Sequence, residues 1–183
     1  MPTLTLVAGP NGSGKSTLTK LADLEGRDRL LDPDAIASRL SPLNPTTAAI
    51  PAAREVLARI DQYLGERVSF VVETTLAGRG HLELLGKAKL MGFEVRILFI
   101  CLDSPERSLN RVRNRVLHGG HLVPDADVKR RYSRSIANSS IALSLADSAE
   151  FYDNSGSQAR LVLIAKKGAV IWQADPLPAW VRI

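Results

Sequence analysis

The stretch Gly9-Pro10-Asn11-Gly12-Ser13-Gly14-Lys15-Ser16-Thr17-Leu18 constrains this chain more than any other. It meets the pattern G-x-x-x-x-G-K-[ST] at Gly9, Gly14, Lys15 and Ser16, directly after the apolar run Leu4-Thr5-Leu6-Val7-Ala8. Such a loop holds phosphate only between a buried strand and a helix start, because the cradle is made of backbone N–H groups and the positive end of a helix dipole. Its placement here meets that need. Glycines let the backbone curl around a phosphate, Lys15 can reach the β and γ oxygens, and the Ser16 hydroxyl can ligate Mg²⁺. Asn11, Gly12, Ser13 and Thr17 complete the set of loop residues expected to bind ATP with its Mg²⁺.

A loop of this kind needs a parallel sheet behind it, and the rest of the chain supplies the pattern. Short apolar runs alternate with stretches of helical period, as in βαβ units. Strands are expected near Thr3–Ala8, Arg29–Leu31, Ser69–Val72, Glu94–Leu102 and Ala149–Tyr152. Helices are expected from Lys15, near Thr46–Leu64 with Val56, Leu57, Ile60 and Leu64 at helical spacing, over His81–Met91, over Pro105–Leu117 and over Ala126–Ala146. The segment Ala159–Gln173, centred on Lys167-Gly168, reads as a β-hairpin. The expected fold is therefore α/β: a three-layer P-loop NTPase or kinase fold with a mainly parallel five-stranded sheet, a helical lid and a C-terminal β-hairpin. One domain over residues 1–183 is expected, with the lid at about 104–146.

Composition narrows the setting. No apolar run approaches the roughly 20 residues that span a bilayer. No basic segment leads into an apolar stretch after Met1-Pro2, and the single Cys101 cannot form an internal disulfide. These features point to the cytoplasm. The formal net charge of +5 leaves nucleic acid and nucleotide both open, so the placement of charge must decide between them.

Two acidic segments follow strands. Arg29-Leu30-Leu31-Asp32-Pro33-Asp34-Ala35-Ile36 ends an apolar run, and ligands of open parallel sheets bind beyond the carboxyl ends of strands. Asp34, and less directly Asp32, can orient an acceptor hydroxyl and take its proton, or Asp34 can cap a short helix. Phe70-Val71-Val72 leads into Glu73, whose carboxylate needs a partner there: a substrate group, a Mg²⁺-bound water or an internal cation.

After the fourth strand, Ser104 caps a helix with Pro105 in its first turn, and Arg107, Arg111 and Arg115 share one face. Past His118-Gly119-Gly120-His121, a second helix carries Arg130, Arg131 and Arg134. Two arginine faces joined by glycines predict a mobile lid that sets guanidinium groups on a transferring phosphate and excludes water. A solvated basic surface or a nucleic-acid patch is the alternative, although aromatic residues able to stack bases are nearly absent, Tyr132 excepted. The two histidines lack a third neighbour at metal spacing.

The ordered set GPNGSGKST, LDPDAIA, FVVETTLAG, SPERSLNRVRNRVLHGGHLVPDADVKRRYSRSIAN and YDNSG resembles the zeta-toxin-like P-loop kinases, and among them the short bacterial members labelled predicted ABC-type ATPases. The likeness spans about Thr3 to Gly156. It implies a kinase that uses ATP and Mg²⁺ to phosphorylate a hydroxyl of a nucleotide-activated amino sugar such as UDP-N-acetylglucosamine. On that resemblance Asp34 corresponds to the acid that activates the sugar hydroxyl, and Glu73 with Thr75 to the pair contacting the sugar nucleotide. Arg111 and Arg115, with Arg130, Arg131 or Arg134, correspond to the arginines on the transferring phosphate, and Asn154 to the loop bordering adenine. The resemblance also implies a small antitoxin protein as partner. On this resemblance the chain is expected to be without the extended C-terminal region of the large toxins.

Three rivals share these features. Another small-molecule or polynucleotide kinase would use the same scaffold with a different acceptor. An NTP-dependent switch would bind and slowly hydrolyse nucleotide without a phosphorylated product. A nucleic-acid module would show affinity that falls steeply with salt.

Overall fold

Residues Thr3–Ala8 form strand β1, and all six are buried because this strand has neighbours on both edges and cover on both faces. The computed structural model of the chain describes residues 1–118, 120 and 123–183. Two positions of the expected glycine break, Gly119 and His121, lie outside the described residues.

The remaining strands are β2 (Leu30–Leu31), β3 (Phe70–Thr74), β4 (Glu94–Cys101), β5 (Ser148–Asp153), β6 (Arg160–Lys166) and β7 (Ala169–Gln173). The helices are α1 (Lys15–Leu21), α2 (Pro33–Leu40), α3 (Ala49–Glu66), α4 (Gly80–Leu90), α5 (Pro105–Leu117) and α6 (Asp125–Leu145). The sheet order is β2-β3-β1-β4-β5-β6-β7. Strands β2, β3, β1, β4 and β5 are parallel, while β6 and β7 are antiparallel. The fold is thus the expected α/β P-loop kinase fold, with a mainly parallel sheet, helices and C-terminal antiparallel strands. The hairpin turns through Lys167 and Gly168, both at positive φ, and lies along β5 so that it prolongs the same sheet.

Alternation along the strands builds two unequal faces. Leu4, Leu6 and Ala8 of β1 join Phe70, Val72, Val95, Ile97 and Phe99 in a large core. Helices α3, α4 and α6 cover that core through Val56, Ile60, Leu85, Ala88, Ile136 and Leu143. On the other face Val7, Val71 and Ile100 form a smaller cluster, with Leu18 of α1 packed against it. Helix α3 differs from expectation at Leu57, which is 62% exposed: the buried stripe runs through Ala52, Val56, Ile60 and Leu64, and Leu57 falls one residue off it. The chain after β7 returns across the sheet, where Trp180 is buried with its ring centroid 5.8 Å from that of Phe99. Among the described residues no helix is long and apolar enough to cross a membrane.

Strand order reverses around β1, since the chain leaves it for β2 and β3 on one side and then for β4 and β5 on the other. The crevice beyond the carboxyl ends at such a point is where α/β sheets bind ligands.

Candidate active site

The phosphate loop bridges β1 and α1, and its glycines sit where side chains do not fit. Gly9 has φ 146, and a Cβ there would lie 1.9 Å from the Ile100 carbonyl oxygen. Gly14 caps α1 at φ 101, and its Cβ would lie 2.4 Å from Asn154 Nδ2. That amide donates to the Ser13 carbonyl at 2.7 Å, so Asn154 clamps the loop from behind. The Asn154 carbonyl accepts from Arg111 at 2.7 Å, which ties α5 to the same clamp. Lys15 folds back over the loop and donates to the Pro10 carbonyl at 3.1 Å.

A cavity of about 660 Å³ opens beyond the strand ends. Asn11, Gly12, Gly14, Lys15, Ser16 and Thr17 of the loop border it. Asp34, Glu73 and Thr75 form part of its wall, and Arg111, Arg115, Arg130, Arg131 and Arg134 close it from α5 and α6. The structure therefore brings together every expected catalytic and substrate residue. Gly9, Ser13 and Asn154 stand outside the lining, where the first two shape the loop and the third braces it. Arg107 turns away to an exposed ion pair with Asp103 at 2.7 Å. Its expected neighbours on that helix face, Arg111 and Arg115, reach the cavity.

Two expectations about the acids change. The residue that caps α2 is Asp32, whose Oδ1 accepts from the Asp34 backbone N–H at 2.9 Å. Asp34 sits inside the first turn, so its side chain does not cap the helix. Glu73 lies within β3, 7% exposed. Its partners are hydroxyls of α1: Ser16 donates to Oε1 at 2.8 Å and Thr19 to Oε2 at 3.3 Å.

Charge is crowded here. Burial holds Lys15 below the ordinary lysine value, against the opposing pull of Glu73, Asp34 and Asp32. Burial likewise raises the carboxyls of Glu73 and Asp32 above the usual carboxylate range, although Lys15 stands near both. A bound triphosphate would add negative charge beside Lys15 and the arginines.

The arginine helices are docked at several points. A Cβ on Gly12 would meet the Ser108 carbonyl oxygen at 3.0 Å and the side chains of Arg111 and Val112, so α5 lies close over the phosphate loop. Tyr132 donates to the Leu102 carbonyl at 2.7 Å, and Asn138 donates to the Leu76 carbonyl at 2.7 Å. These bonds fix α6 against the ends of β4 and β3. His81, expected only at the start of a helix, also borders the cavity.

Among the described residues no group of three or more His, Cys, Asp and Glu could hold a metal ion. Comparison with known proteins gives a consistent setting. Residues 4–136 match the family model described as AAA domain. An uncharacterized protein of Haemophilus influenzae is 35% identical over 124 residues, covering 68% of this chain and 88% of that protein. The AvrRxo1-ORF1:-ORF2 structure with ATP superposes with a TM-score of 0.72 at 18% identity, over 93% of this chain and 60% of that one. The present chain thus spans only about three fifths of that neighbour. The PezAT chromosomal toxin–antitoxin system of Streptococcus pneumoniae gives a TM-score of 0.63 at 14% identity, over 98% of this chain and 75% of the other. At these identities the likeness to solved structures is one of fold.

Proposed function

The chain belongs to the family described as AAA domain, and from that premise we propose that it is a kinase passing the γ-phosphate of Mg-ATP to a hydroxyl on a nucleotide-activated amino sugar. One observation carries this reading: Asp34, Lys15, Ser16 and the arginines of α5 and α6 border a single cavity at the strand ends. Nucleotide binding alone needs the loop and Mg²⁺ ligands, whereas Asp34 in addition offers a base to an acceptor hydroxyl.

In this mechanism the loop amides and Lys15 hold the β- and γ-phosphates. Asp34 takes the proton of the acceptor hydroxyl as its oxygen bonds to the γ-phosphorus. The bond from that phosphorus to the β–γ bridging oxygen breaks and ADP leaves. Arg115, beside Lys15, stabilises charge on the transferring group, with Arg111, Arg131 and Arg134 around it. Arg111 has a second task, since its bond to Asn154 couples the helix to the loop.

Mg²⁺ fits the donor set. The Ser16 hydroxyl and the nearby carboxylates of Glu73 and Asp32 are hard oxygen ligands, and a site without a full protein cage suits an ion that arrives on phosphates and keeps several waters. When bound, it would neutralise the charge of the β and γ oxygens.

The acceptor class rests on the FVVETTLAG resemblance, supported by Glu73 and Thr75 lining the cavity that Asp34 faces. The likeness in fold to PezAT supports a small antitoxin protein as partner, and a cytoplasmic site of action belongs to the same reading. The seven-stranded sheet supports treating residues 1–183 as one domain. Mass spectrometry of products from ATP and a mixture of UDP-sugars tests the proposal. A phosphorylated UDP-amino sugar is expected; ADP with no phosphorylated acceptor would favour a nucleotide switch instead.

A further inference from the structure

The wall of the cavity is divided by charge. Lys15 and the arginines make a cationic side, and Asp32, Asp34 and Glu73 an acidic one. The third side, running from the end of β3 to the start of α4, is lined by residues without formal charge: Thr74, Thr75, Ala77, Gly78 and His81. It is held in a defined shape. Leu76 is fully buried at φ 55, a left-handed conformation that a leucine adopts only under constraint. Asn138 of α6 donates to its carbonyl at 2.7 Å, and its N–H donates to Thr74 Oγ1 at 3.0 Å.

Thr74 also sets the imidazole. Its Oγ1 lies 3.3 Å from His81 Nδ1. That oxygen accepts the Leu76 amide and still carries its own proton; with that proton given to Nδ1, the ring proton resides on Nε2. Burial lowers the pKa of His81, which keeps the ring neutral near pH 7. The ring borders the cavity with Nδ1 engaged, so Nε2 is the ring nitrogen left for a bound molecule.

We propose that Thr74 gives its hydroxyl proton to Nδ1 and that His81 is thereby a specificity-determining donor whose Nε2–H binds an uncharged oxygen of the phosphoryl acceptor, such as an amide carbonyl or a sugar oxygen. Phosphate groups have the arginines and Lys15 to receive them. An uncharged wall with one fixed donor suits the neutral body of the acceptor, beside the hydroxyl that Asp34 deprotonates. An N-acetylated sugar carries such an oxygen.

This inference rests on the kinase reading above, and the test separates the two. Wild type, His81→Leu and His81→Gln are compared with ATP and UDP-N-acetylglucosamine, with KM measured separately for each substrate. Leucine keeps bulk but removes the donor, whereas the glutamine side-chain amide can place an N–H near the position of Nε2. His81→Leu is expected to raise the acceptor KM about tenfold, the size of one lost hydrogen bond, while the KM for ATP changes by less than about twofold. His81→Gln should recover most of the loss. Unfolding midpoints confirm that both variants fold; if both fail to fold, Thr74→Val, which releases Nδ1, must raise the acceptor KM alone. An unchanged acceptor KM, an equal rise for ATP, or no recovery by glutamine overturns the role of His81 and leaves the kinase reading standing. A wild-type protein that makes ADP but no phosphorylated UDP-sugar removes the kinase reading, and the His81 assignment with it.

Discussion

Ser16 donates its hydroxyl proton to Glu73 Oε1 at 2.8 Å, joining the phosphate loop to the strand beside it. The contact follows from register: Val7 pairs with Glu73 and Ala8 with Thr74, so the end of β3 lies alongside the point where β1 becomes the loop. Resemblance alone assigns Glu73 to the sugar nucleotide. The geometry also places its carboxylate next to the hydroxyl expected to hold Mg²⁺, where it can accept a hydrogen bond from a metal-bound water.

Replacing Glu73 by Gln separates ionisation from shape. Burial raises the Glu73 carboxyl above its ordinary value, so the folded state favours the protonated form. Its contribution to stability is full below the unfolded pKa and is lost as pH rises through the folded one. Glutamine has no such loss. Urea unfolding of both proteins should show Glu73→Gln gaining on wild type as pH rises from the ordinary glutamate pKa of about 4.3. Parallel pH profiles would contradict the burial of this carboxylate. The variant should also need more Mg²⁺ for half-maximal transfer.

The arginines are not equivalent. Arg115 stands close enough to Lys15 to lower its pKa, whereas Arg130 is exposed and engaged with Asp127 at 2.8 Å. Arg115→Ala should slow transfer about a thousandfold, in the range of a lost phosphate-stabilising arginine. Arg130→Ala should cost less than about tenfold, as expected of a surface ion pair. Single-turnover rates with saturating ATP distinguish the two, and equal losses would contradict this ranking.

Gly9→Ala tests the loop itself. The added methyl would collide with the Ile100 backbone carbonyl, which no side-chain movement can relieve. A loss of about 1–3 kcal/mol in unfolding free energy is expected, with loss of the ATP-induced rise in Tm. A variant with wild-type stability and nucleotide response would show that the loop is held differently.

Cys101 reports on the end of β4. Burial pushes its thiol up to about 12, so the thiolate is scarce at pH 8. Iodoacetamide should leave the folded protein unmodified over an hour and label it fully in denaturant. Rapid labelling of the folded protein would mean that this strand end is open.

Much of this arrangement was legible in the sequence because the informative residues act locally. The glycine spacing, the strand before it and the cap at Ser104 each depend on neighbours within a few positions, and each appears where expected. The acids of LDPD were harder to rank. Either aspartate is a favoured cap, and only the backbone shows that Asp32 takes the role while Asp34 remains on the cavity wall. His81 could not be found at all, since its place depends on Leu76 entering a left-handed conformation and on Asn138, 62 residues on, securing that turn. Leu57 shows the opposite failure. It sits next to true core positions, but a one-residue shift of the helical stripe leaves it exposed.

Transfer by wild type and Asp34→Asn, followed by mass spectrometry of the acceptor alongside ATP-binding affinity, tests the central claim most directly. Wild type should yield a UDP-amino sugar bearing one added phosphoryl group. Asp34→Asn should bind ATP as tightly and lose about a hundredfold to ten-thousandfold in transfer rate, the range for a missing general base. An Asp34→Asn protein that phosphorylates the same acceptor at the wild-type rate would contradict the account.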